Sequence, residues 1–291
     1  MKKRTIIYIS GEGHSGTTLL DIILGSQKNA FSSGELGFFA QKGIKNNEYC
    51  ACSNTVPDCE VWSQVIKEWE KVRNLGLDEY IQIQSRLTSK KNVLSSYFSL
   101  RNPSSKISYF LEDTNRLYDI IFNVTDSEII IDSSKAPGRI QILKKLDYEI
   151  KVFHLIRRFG DVLNSYKKSS PKDLKKGVEH KIEPLSTMYV LTSWIFKNML
   201  SFLFSNGISY TKVKYEEIVN NPEKELAFVT SEKEFANLLR ERGPFYINHL
   251  VAGNKLRMKD HIYIAEKPMN TSYHRLKRRD KVLAKFIDSF Y

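Results

Sequence analysis

Four short runs of β-branched and aliphatic residues stand out from an otherwise mixed chain, at residues 5–10, 128–132, 150–156 and 210–215. Runs of this length and composition are typical of strands buried on both faces of a parallel sheet. The first three are each followed by a turn and by apolar residues at helical spacing, at residues 17–26, 138–146 and 161–168. Strands that alternate with helices in this way predict right-handed crossovers and an α/β fold with a parallel sheet between two helical layers.

The stretch from about residue 59 to 124 departs from this alternation. It has apolar residues at helical spacing, among them Val61, Val65 and Trp69, but no strand-like run. We therefore predict a helical insertion between the first two strands. Further helices are expected at residues 184–204, 222–228 and 232–240, and the basic end at 274–281 is expected to be a frayed, solvated tail. Without internal repeats or low-complexity linkers, residues 1–291 are expected to form a single domain with insertions.

The charge balance points to an anionic partner. The chain has 45 Lys and Arg against 33 Asp and Glu, a formal net charge of +12. Such a charge suits a nucleotide, a nucleic acid, a membrane surface or an acidic substrate, and equally a solvated basic surface. No apolar run reaches the roughly 18 residues of a membrane span. The run at 5–10 is too short for a signal peptide, so a cytoplasmic protein is expected.

The chain has three cysteines, Cys50, Cys52 and Cys59. Their odd number and close spacing argue against a disulfide framework. A structural zinc site needs four ligands, and the sequence offers no obvious fourth. We therefore expect packed or reduced thiols and no metal.

The glycine-rich segment from Gly11 to Thr18 joins the first strand to the first helix and reads Gly-Glu-Gly-His-Ser-Gly-Thr-Thr. Glycines allow successive backbone N–H groups to face an anion, and the helix N-terminus adds partial positive charge. The spacing copies the phosphate loop G-x-x-x-x-G-K-[ST], with Thr17 in place of the lysine. The sequence therefore predicts a P-loop three-layer fold that binds an anion at this turn.

The loop and a second segment together resemble the sulfotransferases that use 3′-phosphoadenosine-5′-phosphosulfate. This resemblance makes the expected ligand more specific than an anion. The loop is similar to that family's 5′-phosphosulfate loop. A second segment, residues 155–165, keeps the arginine and serine of the family's 3′-phosphate signature at Arg157 and Ser165. A guanidinium can bind a phosphate through two hydrogen bonds, and Ser165, expected on the first turn of the next helix, would reach the same group. Tyr215 lies in a stretch that resembles the family's R-Y-E segment, near the nucleotide.

The resemblance is closest to the tyrosylprotein-type and related bacterial branch. It implies that Glu35, in the pair Gly34-Glu35, is the base, and that Lys135, with the loop amides, Ser15, Thr17 and Thr18, stabilises charge on the bridging oxygen. His14 stands where relatives have the catalytic loop cation that helps neutralise the sulfonate. The bacterial members also share the cysteine pattern and a Gly-Asn-x-x-Arg segment. The resemblance implies contact with the nucleotide by Gly13, His14, Ser15, Gly16, Thr17, Thr18, Arg157, Ser165, Tyr215, Asn254 and Arg257. It also implies sulfuryl transfer from 3′-phosphoadenosine-5′-phosphosulfate to an acceptor hydroxyl or amine, of EC 2.8.2 type and without a metal.

Two departures from the family pattern concern charge. His14 replaces the loop's usual Arg or Lys, and would donate as a cation only if protonated, a form that a neighbouring sulfate favours. Arg158-Phe159-Gly160 replaces D-P-R. His154 and His180 are alternative bases: His154 is expected to be a hydrogen-bonded core residue, and His180 lies in a polar loop, residues 171–183, that is either a lid or a solvated loop.

Three other functions remain open from the sequence. A P-loop kinase or ATPase lacks its loop lysine here, and Asp132 alone ends a strand as a magnesium ligand would. A nucleic-acid-binding protein fits the charge, but no recognisable module supports it, so no nucleic-acid partner is expected. A member of the family that binds the nucleotide without catalysis is the third. The acceptor and the oligomeric state are not encoded in any motif.

Overall fold

A parallel sheet forms the centre of the molecule. The computed structural model describes residues 4–174, 178, 181–229, 232–266 and 272–291, and His180 lies outside them. The strands are β1 Thr5–Gly11, β2 Ala30–Ser32, β3 Ile129–Lys135, β4 Glu149–Ile156 and β5 Ser209–Lys214. All neighbours in this sheet are parallel, in the order β2-β3-β1-β4-β5. A small antiparallel pair, β6 Phe245–Tyr246 and β7 His261–Ile262, lies apart from it. The predicted α/β fold class is confirmed.

Helices connect and cover the strands. They are α1 Thr17–Leu24, α2 Glu60–Val72, α3 Leu77–Thr88, α4 Val93–Arg101, α5 Ser105–Thr125, α6 Pro137–Leu143, α7 Phe159–Tyr166, α8 Thr187–Phe204, α9 Tyr215–Asn220, α10 Pro222–Glu225, α11 Lys233–Glu241 and α12 Arg278–Asp288. A π-helical segment, Phe39–Lys45, precedes α2. Of the helices within the described ranges, none combines the length and the apolar character needed to cross a bilayer.

The central strand β1 contributes to a core on each side of the sheet. Ile6 and Tyr8 pack in the layer that contains Trp62 of α2, whereas Ile7 and Ile9 pack in the layer that contains α1. Successive side chains of a strand point to opposite faces, so an unbroken apolar strand requires cover on both. This is why the sequence of β1 shows no polar alternation.

One strand was not predicted. β2 has three partly buried residues and pairs with β3 at the sheet edge. Three residues carry too little pattern to be recognised, and the strand exists because β3 lies beside it. In chain order, the helices α2 to α5 therefore lie between β2 and β3. They still fall between the first two predicted strands, β1 and β3, but β2 separates them from β1.

The prediction of a frayed tail at residues 274–281 was wrong. Helix α12 contributes Ala284 to a buried apolar cluster that also contains Phe159 and Val162 of α7. The Asp288 carboxylate accepts hydrogen bonds from the backbone N–H groups of Phe159 and Gly160, at 2.6 and 3.0 Å. These amides have no partner within α7 because they lie in its first turn, so α12 supplies their acceptor and caps the helix.

Candidate nucleotide-binding and catalytic site

The glycine-rich loop lies at the carboxyl end of β1, with β3 on one side and β4 on the other. Here successive strands are added on opposite sides of β1, and such switch points are where open α/β sheets bind ligands. The loop turns through left-handed backbone at His14 (φ 62°) and Gly16 (φ 98°). Glycine is also required at position 16 by space, because a Cβ atom there would lie 2.5 Å from the Tyr215 ring. The loop therefore packs directly against the Tyr215 ring at Gly16.

Two buried polar atoms at the loop lack hydrogen-bond partners among the described residues. They are the Ser15 hydroxyl and the Nε of Arg157. Thr17 and Thr18, at the start of α1, are also buried. Unsatisfied buried polar groups are rare and costly, and here they flank a helix N-terminus whose amides attract anions. The donor set fits an oxyanion.

Arg157, at the end of β4, is held against the loop. Its Nη1 donates to the His14 carbonyl at 2.9 Å, and its guanidinium carbon lies 4.2 Å from the centre of the Tyr215 ring. The indole of Trp194 donates to the Arg157 carbonyl at 3.1 Å. The structure thus brings Arg157 and Tyr215 together beside the loop, and their contacts with a nucleotide remain predictions.

Ser165 is not on the first turn of its helix, and that expectation was wrong. Helix α7 begins at Phe159, so Ser165 lies in its last turn. Asp288 of α12 caps the helix at this start, which is earlier than predicted. The next residue, Tyr166, donates a hydrogen bond to Glu12 of the loop at 2.8 Å, so this end of α7 lies beside the loop.

Glu35 and Lys135 form an ion pair although 100 positions separate them. Lys135 ends β3 in left-handed backbone (φ 67°) opposite Ser10 of β1, one residue before the loop begins. The Glu35 backbone N–H donates to the Val251 carbonyl at 2.8 Å. The Glu35 side chain is 7% exposed and that of Lys135 is 20% exposed. Two of the three residues that the resemblance makes catalytic, Glu35 and Lys135, therefore meet at the mouth of the loop.

The turn around Asn254 closes this side of the site. The Asn254 backbone N–H donates to Oγ1 of Thr18 at 3.4 Å. Arg257 is fully buried and donates to the carbonyls of Gly253 and Tyr49, at 3.1 and 3.3 Å. Arg257 thus braces the turn from inside the core. The nucleotide contacts expected of Asn254 and Arg257 remain predictions.

The surroundings of His14 disfavour its charged form. Burial and the positive charge of Lys135, opposed by Glu12, lower the pKa of His14 from 6.5 to about 4. Its ring meets that of Tyr166 edge to face, 4.4 Å between centroids. A donor role for His14 at neutral pH would use the N–H of the neutral imidazole.

Glu12 is a loop residue whose role the sequence did not reveal. Its carboxylate is 1% exposed, pairs with Lys197 of α8 at 2.7 Å, and accepts hydrogen bonds from Tyr166, Ser193 and the Gly13 N–H. Burial acts to raise the Glu12 pKa, but Lys197 and these donors lower it overall. An acidic residue in a loop expected to bind an anion needs a cationic partner, so the presence of Glu12 in the sequence already indicated that such a partner exists. The sequence did not identify Lys197 as that partner.

The carboxylate of Asp132, the one candidate magnesium ligand from the sequence, is engaged by neighbouring side chains and backbone. It pairs with the Nε of Arg139 at 2.7 Å and accepts hydrogen bonds from the Tyr118 hydroxyl and from the Ser134 backbone and side chain. All these groups are buried. The carboxylate holds β3 to the helical layer, which removes the support for a kinase or ATPase at this position.

His154 is a core residue, as expected. It is 2% exposed and its ring nitrogens lie 2.8 and 2.9 Å from the Tyr210 hydroxyl and Asn198 Oδ1. Burial lowers its pKa from 6.5 to about 4. Between these values the unfolded chain binds the proton and the folded chain does not, so stability falls as the pH drops below about 6.5.

We expect His154→Gln to flatten this acid destabilisation. The free energy of unfolding lost between about pH 7 and pH 4.5 should be about 2–3 kcal/mol smaller in the variant. Urea unfolding at both pH values measures it, with the exposed His274→Gln as control. Equal losses in wild type and His154→Gln would contradict the assignment.

Comparisons with known proteins find similarity in structure only. The sequence matches no family model and no curated protein. The fold is similar to the sulfotransferase domain of the Synechococcus PCC 7002 olefin synthase, at 16% identity and TM-score 0.49, covering 98% of this chain and 94% of the other. It is similar to the sulfotransferase domain of the curacin biosynthetic pathway at 16% identity and TM-score 0.45, covering 98% and 91%. Sulfotransferase STF9 from Mycobacterium avium follows at 11% identity and TM-score 0.44, covering 84% and 70%. These are proteins of the class that the sequence motifs resemble, but at such identities and TM-scores the likeness says nothing about activity.

Proposed function

We propose that this chain transfers the sulfuryl group of 3′-phosphoadenosine-5′-phosphosulfate to an acceptor hydroxyl or amine, as an enzyme of EC 2.8.2 type that needs no metal for the reaction. The observation that carries the proposal is the ion pair between Glu35 and Lys135 at the mouth of the glycine-rich loop. A carboxylate that accepts a proton and an ammonium that neutralises a leaving oxygen are the two groups such a transfer requires.

Binding of the nucleotide would use donors at the glycine-rich loop and at Arg157. In the proposal, the amides of residues 16–18 at the start of α1 and the hydroxyls of Ser15, Thr17 and Thr18 hold the 5′ end. Arg157, with Ser165 and the Tyr215 ring nearby, holds the 3′-phosphate. The buried, unpartnered Ser15 hydroxyl and Arg157 Nε support this assignment, because an oxyanion would satisfy both.

The nucleotide supplies the sulfuryl group, and the residues of the chain supply position, charge and a proton acceptor. The transfer is an in-line displacement, in which positioning and charge stabilisation dominate. Lys135 would turn from Glu35 towards the oxygen that leaves with the nucleotide. Glu35 would then be free to accept the acceptor's proton. His14 would donate through its neutral N–H group.

Nucleotide preference tests the binding half of the proposal. We expect calorimetry to show tighter binding of adenosine 3′,5′-bisphosphate than of ATP. Arg157→Lys should weaken binding of the bisphosphate about 10–100-fold, because it loses about 1.5–3 kcal/mol of charge-assisted hydrogen bonding. It should leave the weaker binding of adenosine 5′-monophosphate nearly unchanged.

Arg240→Lys, on the exposed face of α11, is the matched control. Preferential binding of ATP with magnesium would overturn the proposal in favour of a kinase or ATPase. If Arg157→Lys lost affinity equally for adenosine 3′,5′-bisphosphate and for adenosine 5′-monophosphate, Arg157 would not contact the 3′-phosphate.

A further inference from the structure

The three cysteines share a cluster with a histidine that is distant in sequence. Cys50 and Cys52 lie on a turn, Cys59 immediately precedes α2, and His249 follows β6. The three sulfur atoms and one imidazole nitrogen all lie within 4.8 Å of one another. Cys50 and Cys59 are fully buried, and Cys52 is partly buried.

The geometry is close to that of a tetrahedral metal site. Zinc–sulfur bonds of about 2.3 Å and zinc–nitrogen bonds of about 2.0 Å set ligand atoms about 3.5–3.8 Å apart. The Cys59 sulfur lies 3.2 Å from Nδ1 of His249. Contraction of the wider separations by about 1 Å would therefore close a Cys₃His site.

The other nitrogen of His249 already has a partner typical of a metal-binding histidine. Its Nε2 lies 3.2 Å from a carboxylate oxygen of Glu60. Metal-ligating histidines commonly donate their second N–H to a carboxylate, which orients the ring and fixes the tautomer. Here the contact directs Nδ1 towards the sulfur atoms. Trp62 holds the same residue through a 2.5 Å hydrogen bond from its indole to the His249 carbonyl.

We propose that Cys50, Cys52, Cys59 and His249 bind one structural Zn²⁺ ion, with Glu60 orienting the histidine. Four protein ligands complete a tetrahedral shell and leave no open position, which distinguishes a structural from a catalytic zinc. Thiolate ligands with an imidazole favour zinc over magnesium or calcium. This departs from the expectation of uncoordinated thiols, because folding supplies the fourth ligand from 190 residues away.

The metal would fasten the segment that supports Glu35. Val251, two residues after His249, pairs with both Gly34 and Cys50. Its carbonyl accepts the Glu35 N–H, and the Leu250 carbonyl accepts the Ala51 N–H at 3.1 Å. The ion would thus cross-link residues 50–59 to the segment at 249–251 that holds the Glu35 backbone. The inference does not rest on the proposed function: a chain that holds zinc but binds no adenosine nucleotide would overturn that function and leave the metal site intact.

Metal analysis of the purified chain tests the proposal. We expect elemental mass spectrometry to find one zinc ion per chain. Titration with a mercurial reagent should release this zinc as three thiols react. After exchange, Co²⁺ should show thiolate charge-transfer absorption and the intense visible bands of tetrahedral coordination. Cys59→Ser and His249→Asn should lose the metal, and His261→Asn, at an exposed histidine, should keep it.

Glu60→Gln provides a variant that leaves the fold undisturbed, since the Glu60 side chain is 80% exposed. It should weaken zinc binding about 10–100-fold. Glu70→Gln, at an exposed position of the same helix, is its matched control and should bind as wild type. A folded wild-type chain without zinc and without a cobalt–thiolate band would overturn the proposal, as would an intact mass short of two hydrogens, which indicates a disulfide. Equal affinities of Glu60→Gln and Glu70→Gln would contradict the oriented His249 ligand.

Discussion

Glu35→Gln is expected to lower the turnover number of sulfuryl transfer by ~10²–10⁴-fold, the usual contribution of a positioned base. Glutamine keeps the size of the side chain and can still accept a hydrogen bond from Lys135, but it has neither the negative charge nor the basicity of the carboxylate. Binding of adenosine 3′,5′-bisphosphate should be unchanged, because in the proposal Glu35 takes the acceptor's proton and does not hold the nucleotide. Single-turnover assays with a labelled donor and calorimetry give the two quantities.

A matched control is Glu217→Gln, at an exposed glutamate on α9. It should keep both turnover and binding. Near-full turnover in Glu35→Gln, with binding unchanged, would remove Glu35 from the reaction. Loss of binding and turnover together would assign Glu35 a structural role, in holding Lys135.

Glu12→Gln is expected to destabilise the whole chain by about 3–5 kcal/mol, the cost of leaving one member of a buried ion pair without its partner. The Lys197 side chain is only 17% exposed and would keep its charge opposite a neutral amide. Tyr166 and Ser193 would also compete for a weaker acceptor. The free energy of unfolding in urea measures the effect.

The double variant Glu12→Gln with Lys197→Met separates charge from packing. It should recover part of the lost stability, because no uncompensated charge then remains. Glu79→Gln breaks the exposed pair with Lys106 and should cost only about 0–1 kcal/mol. A double variant no more stable than Glu12→Gln would show that the pair does not act through its charge.

The strands and the loop were predictable because each is encoded over a few adjacent residues. β1, β3, β4 and β5 are buried between two layers, and their apolar runs record that burial directly. The loop is encoded by glycines whose backbone conformation few other residues adopt, as Gly16 shows at φ 98°. The place of Arg157 at the site was implied only by the family resemblance, and the structure gives its physical cause, since β4 lies beside β1.

The elements that sequence reasoning missed depend on partners far along the chain. β2 forms only beside β3, and α12 is ordered by its packing and capping of α7. The pairing of Glu12 with Lys197 spans 185 positions, and that of Cys59 with His249 spans 190. Neither lysine nor histidine at those positions carries a local pattern that reveals its partner.

Local sequence was thus sufficient for four strands of the parallel sheet and for the glycine-rich turn after β1, because backbone conformation and strand burial depend on near neighbours. Tertiary structure alone decided the lowered pKa of His14, the pairing of Asp132 with Arg139, the meeting of Glu35 with Lys135 and the position of His249 beside the three cysteines. Each of these depends on burial and on charges brought close by folding, and both are properties of distances in space.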